Sequence, residues 1–87
     1  MNELRIQSVK FEGDDIVVHF SDGASFPVSL SSFPHLAGAT KQQRDAWHLI
    51  GRGRGVHWDL LDEDLSVENF LTAYSRQKAA SYSHAAA

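Results

Sequence analysis

The stretch Ile16-Val17-Val18-His19-Phe20-Ser21-Asp22-Gly23-Ala24-Ser25-Phe26-Pro27-Val28 decides the fold, because only one hairpin loop keeps its apolar residues on a common face. A two-residue Asp22-Gly23 turn would oppose His19 to Phe26 and Val18 to Pro27, mixing the faces. A three-residue loop, Ser21-Asp22-Gly23, opposes Phe20 to Ala24, Val18 to Phe26 and Ile16 to Val28. That is the type I turn plus bulge in which the third residue, Gly23, takes a left-handed conformation. Pro27 has no N–H to give a ladder, so its strand is placed at a sheet edge.

Reading backwards, Glu12-Gly13-Asp14-Asp15 is a turn by composition, and a four-residue loop there pairs Phe11 with Ile16 and Val9 with Val18. The apolar phase slips between Ile6 and Val9, and a bulge near Gln7-Ser8 repairs it. Reading forwards, Ser31 to Gly38 forms a short helical turn with a serine cap and a closing glycine. Thr40-Lys41-Gln42-Gln43 is a capping box that opens a helix running to Ala46. Trp47-His48-Leu49-Ile50 and Val56-His57-Trp58 flank the loop Gly51-Arg52-Gly53-Arg54-Gly55. Pairing Leu49 with Val56 sets Trp47 opposite Trp58 and His48 opposite His57. A last helix begins after Ser66, with Leu65 and Phe70 as a hydrophobic staple and Glu68 in its first turn.

The chain is thus expected to be α+β: a small antiparallel sheet made of an N-terminal three-stranded meander and a second hairpin, two short helical segments and a C-terminal helix. One domain covers 1–78, and 79–87 is a tail without an apolar stripe that should fray. The expected core is Ile6, Val9, Ile16, Val18, Phe20, Phe26, Val28, Leu36, Trp47, Leu49, Val56, Trp58, Phe70 and Leu71.

Eighty-seven residues, 43% apolar and 22% charged, describe a single globular domain. No apolar run approaches the roughly 20 residues of a membrane span. The chain has no cysteine, which removes disulfide scaffolds and thiolate metal sites. Its opening, Met-Asn-Glu-Leu-Arg, lacks the basic-then-apolar pattern of a secretory signal, so a cytoplasmic protein is expected. The net charge of −3 argues against broad binding to a phosphate backbone.

Three constellations merit weighing. The loop Gly51–Gly55 carries Arg52 and Arg54, but a phosphate loop needs a following helix, and a strand follows here. It reads as a mobile hairpin tip with exposed charge. His48 and His57, side by side across two strands with Asp59 or Asp62 near, supply metal-ligand atom types. Two histidines fall short of a ligand set, and no cofactor or metal is assigned. Asp59, Asp62, Glu63 and Asp64 place four carboxylates in six residues, without the spacing of a calcium loop. No nucleophile elbow or zinc-protease motif is present, so no catalytic residue is named.

The run Leu49-Ile50-Gly51…Gly53…Gly55-Val56-His57-Trp58…Leu61-Asp62-Glu63-Asp64-Leu65-Ser66-Val67-Glu68…Leu71, with Phe20-Ser21-Asp22-Gly23 and Phe33-Pro34-His35-Leu36 before it, resembles the domain-of-unknown-function family 2442. The likeness spans about residues 3–75. It departs at Asp59, where a proline commonly follows the family's His-Trp, and at Arg52 and Arg54, where the loop often carries acidic residues. The resemblance implies a small bacterial α+β domain, found alone or fused to a helix-turn-helix domain. It also implies gene neighbourhoods similar to toxin–antitoxin pairs.

Three functions follow from these readings. The first is a protein-interaction module, antitoxin-like, whose surface is Arg52, Arg54, His57, Asp59, Asp62, Glu63 and Asp64 and whose partner is a basic protein. The second is a nucleic-acid-associated regulator using Arg44, Arg52 and Arg54. The third is a metal-dependent enzyme, for which the sequence offers no positive signal. The edge strand and the aromatic content also suggest a homodimer.

Overall fold

In a computed structural model the described residues are 3–86, with side chains described through residue 80. Two antiparallel three-stranded sheets form the body. The first is the meander β1 (Ile6–Glu12), β2 (Asp15–Phe20) and β3 (Ser25–Ser29). Its register is the one turn chemistry dictates: Phe11 opposes Ile16, Val9 opposes Val18, Val18 opposes Phe26 and Ile16 opposes Val28. The phase slip is a bulge between Ile6 and Ser8. Phe20 N–H donates to Ala24 O at 2.8 Å, and Gly23 takes φ 91°, so the loop is the three-residue type. The first turn is tighter than expected. Glu12 already opposes Asp15, leaving Gly13-Asp14 as the loop without changing the register.

A 3-10 turn (Leu30–Ser32) follows, capped by Ser29, whose hydroxyl accepts from Ser31 N–H at 3.2 Å. The cap thus falls one turn earlier than expected. Helix α1 (Pro34–Ala37) starts with proline at its first position, where the missing N–H costs nothing. Helix α2 (Lys41–Asp45) carries the expected box: Gln43 N–H donates to Thr40 Oγ1 at 3.1 Å, and Thr40 N–H to Gln43 Oε1 at 2.8 Å.

The second half holds more than a hairpin. β4 (Trp47–Ile50) and β5 (Gly55–Trp58) pair as expected, Trp47 opposite Trp58 and Leu49 opposite Val56. A third strand, β6 (Glu63–Ser66), pairs on the other side of β5. Residues 63–66 alternate, with Leu65 buried and Asp64 exposed, so the end of the acidic segment is strand rather than turn. Helix α3 (Val67–Ala86) begins at the expected cap. There Asn69 N–H donates to Ser66 Oγ at 3.1 Å, and Ser66 N–H to Asn69 Oδ1 at 2.8 Å. Its backbone is helical through Ala86, while the side chains of most of the expected tail, and Ala87 altogether, lie outside the described residues.

One core joins the sheets. Trp58, Phe20, Phe70, Ile16, Leu36, Val18, Val28 and Val56 are its largest fully buried side chains. Phe33 meets Phe70 edge-on at 5.5 Å between ring centroids. Two expected members are excluded: Leu49 is 38% exposed and Leu71 36%. β4 is an edge strand and leaves Leu49 half uncovered. On α3 the buried line is Val67, Phe70 and Ala73, one step round from Leu71. Phe26 and Trp47 are only partly buried. Leu30, Phe33, Leu65, Val67 and Ala73 complete the core. Among the described residues no helix is long and apolar enough to cross a membrane.

Candidate functional site

Because Val56 and Trp58 of β5 turn inward, His57 between them faces outward. The register places His48 of β4 on one side of it and Asp64 of β6 on the other, so the three form a row across the sheet. The two imidazole rings lie 5.4 Å apart. His57 Nδ1 is hydrogen-bonded to Asp64 Oδ1, while His57 Nε2 stands 3.0 Å from Asp59 Oδ1. The other oxygen of Asp59 is 3.6 Å from His48 Nδ1.

A carboxylate at each ring nitrogen favours the imidazolium, which alone has two N–H donors. The His57 pKa is accordingly raised above its ordinary 6.5. The hydrogen bond to Asp64 is the largest cause. Desolvation opposes it, and attraction to Asp64, Asp59 and Asp62 adds to it. His57 therefore keeps its proton to a higher pH than a free imidazole does. Among the described residues no three histidines or carboxylates form a group that could hold a metal ion, and here the two nitrogens of His57 are turned to different carboxylates.

The other predicted surface residues fall elsewhere. Asp62 closes the turn from β5 into β6 with φ 49°, a left-handed conformation that aspartate tolerates. Glu63 points to the opposite face from Asp64, with Oε2 2.6 Å from His35 Nδ1. Arg54 pairs with Glu3, and Arg5 Nη1 donates to Arg52 O at 3.4 Å. The arginines thus sit at the far end of the hairpin, beside the N-terminal segment.

The glycine loop departs from expectation most. Its middle residue, Gly53, is buried with φ 88°, and a Cβ there would lie 2.7 Å from Ile6 O. The tip is docked against β1 rather than mobile. Arg44 is likewise a structural residue. Its Nε donates to Leu36 O at 2.8 Å and its Nη2 to Ala37 O at 2.9 Å, closing the end of α1. Its own carbonyl accepts the indole N–H of Trp58 at 2.9 Å, and its guanidinium lies over Phe11.

Sequence reasoning missed a groove of about 610 Å³ running along β6 and the first turns of α3. Phe33, Leu65 and Ala73 line it, together with Glu63, Asp64, Glu68 and Arg76. Its signal in the sequence was Glu68, which reads at first only as a dipole-compensating residue.

A solved structure of a protein of unknown function from Rhodospirillum rubrum ATCC 11170 is similar to this chain, with 29% sequence identity and a TM-score of 0.70. The match covers 82% of this chain and 88% of that one. No curated protein matches. The family model described as "Protein of unknown function (DUF2442)" matches residues 6–75. Together with the Ser-Asp-Gly hairpin and the His-Trp to Leu-Asp-Glu-Asp run seen in place, this shows that the chain belongs to the DUF2442 family.

Proposed function

We propose that this domain is a protein-interaction module, antitoxin-like in role and not an enzyme, that presents an acidic face to a basic protein partner in the cytoplasm. One observation carries the reading. Asp59, Asp62, Asp64 and Glu68 are all exposed along the β5–β6 turn, β6 and the start of α3. Arg76 is the one arginine or lysine in the groove that Asp64 and Glu68 line, and two other arginines are engaged elsewhere. Arg54 is held by Glu3 and Arg44 by the end of α1. The same observation weighs against the nucleic-acid alternative, which needed Arg44, Arg52 and Arg54 as a free basic patch. The net charge of −3 has the same sign as this face and favours encounter with a basic surface.

The test is co-expression with the product of the adjacent gene, followed by binding kinetics at two salt concentrations. The variant Asp62→Asn with Glu68→Gln should form the complex several-fold more slowly and with a flatter salt dependence, while melting close to the parent. A complex whose association rate ignores both substitutions and salt would overturn the acidic-face reading.

A further inference from the structure

We propose that the outer edge of β6 takes up an extended, lysine- or arginine-rich segment of the partner as an added strand in the groove beside α3. This rests on the interaction-module reading and names the docking site and the form of the partner.

The hydrogen-bond pattern exposes the edge. Val67 N–H donates to Arg54 O at 2.9 Å, so Arg54 and Val67 are a bonded pair. In an antiparallel ladder bonded and non-bonded pairs alternate. Val56–Leu65 and Trp58–Glu63 are then bonded, and His57–Asp64 is not. The N–H and C=O of Asp64 therefore point away from β5, into the groove. The next outward N–H, that of Ser66, is already taken by Asn69 Oδ1, which confines the open edge to the neighbourhood of Asp64.

The edge of the other sheet is treated differently. On β3, Pro27 has no N–H to offer, its carbonyl accepts from Gln77 Nε2 at 3.3 Å, and Ser29 N–H donates to Gln77 Oε1 at 2.9 Å. A side-chain amide there occupies the place of a strand. Exposed strand edges invite pairing unless blunted in some such way. β6 has no equivalent clip at Asp64 among the described residues.

Charge selects the occupant. An added strand turns successive side chains to opposite faces. At this edge one face carries Asp64 and the other Glu63, with Glu68 beyond on α3; Arg76 is the one arginine or lysine in the lining. Two adjacent basic side chains would thus each meet a carboxylate, sharing Asp64 with His57 and Glu63 with His35. Backbone hydrogen bonds give such a complex affinity, and the flanking side chains give it specificity.

The probe is a fluorescent peptide of about ten residues in which adjacent lysine-arginine pairs are separated by threonine and valine, a length that fits a short strand. Binding should be salt-sensitive, should protect the Asp64 amide from hydrogen exchange, and should weaken several-fold in Glu68→Lys. Methylating the central peptide nitrogen should lower affinity about tenfold, as loss of one backbone hydrogen bond implies. If the methylated peptide binds equally well and the Asp64 amide stays unprotected, strand addition is wrong and the acidic-face reading stands. If the peptide does not bind at all while the adjacent gene product binds in a salt-sensitive way, this inference fails alone. If neither binds, both readings fail.

Discussion

Each sheet is an antiparallel meander of three short strands, yet β1–β2–β3 closes its outer edge whereas β4–β5–β6 leaves its surface chemically open. In the first sheet, Pro27 and the amide of Gln77 seal β3, and Ile16, Val18 and Val28 are wholly buried. In the second, Leu49 and Ile50 of β4 are each 38% exposed, and the outer face carries His48, His57 and Asp64 in a row. One sheet is a scaffold. The other is scaffold on its inner face and carries polar, ionisable side chains on its outer one, where a small domain can vary its surface without disturbing its core.

The difference is one of surface, and the core should not show it. Phe20 anchors the first sheet and Trp58 the second, and both are essentially inaccessible. Phe20→Ala and Trp58→Ala should each cost about 3–5 kcal/mol, a large part of the roughly 5–15 kcal/mol that holds such a domain. Trp58 also loses its hydrogen bond to Arg44 O. Calorimetry should show one cooperative transition in both variants. Two transitions would mean that the sheets are separate folding units.

The loops sharpen the comparison. Gly23 and Gly53 share left-handed backbone, with φ 91° and 88°. A Cβ at Gly23 meets nothing within 4 Å, whereas at Gly53 it lies 2.7 Å from Ile6 O. Gly23→Ala should show only the conformational penalty, about 1 kcal/mol. Gly53→Ala adds a clash with backbone and should lose about 2–4 kcal/mol by denaturant titration, combining strain and displacement. Equal losses would mean that the second loop is not docked on β1.

These loops also mark what the sequence could tell. The register of β2 with β3 was legible because only one loop length keeps Val18 and Phe26 on one face, and the His48–His57 register followed from Leu49 and Val56. The third strand of the second sheet was not. Glu63-Asp64 reads as a turn by composition, and only pairing with β5 reveals that Leu65 and Asp64 alternate. The burial of Gly53 depends on Ile6, far away in the chain, and the role of Arg44 depends on the carbonyls of Leu36 and Ala37. Tertiary contacts of this kind leave no periodic trace. Of the predicted surface, the fold joins His57, Asp59 and Asp64; the sequence sets His57 beside Asp59 or Asp62, and the pairing with Asp64 follows only from β6. Arg52 and Arg54 were grouped with them through proximity in sequence alone.

A smaller effect tests the closed edge. Gln77→Ala removes both hydrogen bonds to β3 and leaves Ser29 N–H without its partner. At about 0.5–1.5 kcal/mol for each bond, the loss should be about 1–3 kcal/mol of stability. The unsealed edge should also raise self-association at high concentration, measurable by light scattering. A variant as stable and as monodisperse as the parent would show that Pro27 alone blunts this edge.

The smallest effect belongs to the open face and concerns pH. His57 has its pKa raised by the hydrogen bond to Asp64 foremost, so the folded chain holds its proton more tightly than the unfolded chain. Linkage then gives a stabilisation fully present below the unfolded value of about 6.5 and lost as pH rises through the folded value. The side chain keeps 22% of its surface in water, and screening there keeps the gain small. Melting temperatures of the parent and His57→Gln, compared from pH 5 upward, should differ most at the acidic end and converge as the pH passes beyond 6.5. Both proteins share every other ionisable group, so convergence reports His57 alone. A difference that stays constant across the range would mean that His57 contributes by packing. The row His48–His57–Asp64 would then be a surface feature without electrostatic coupling, and the contrast between the two sheets would rest on their edges.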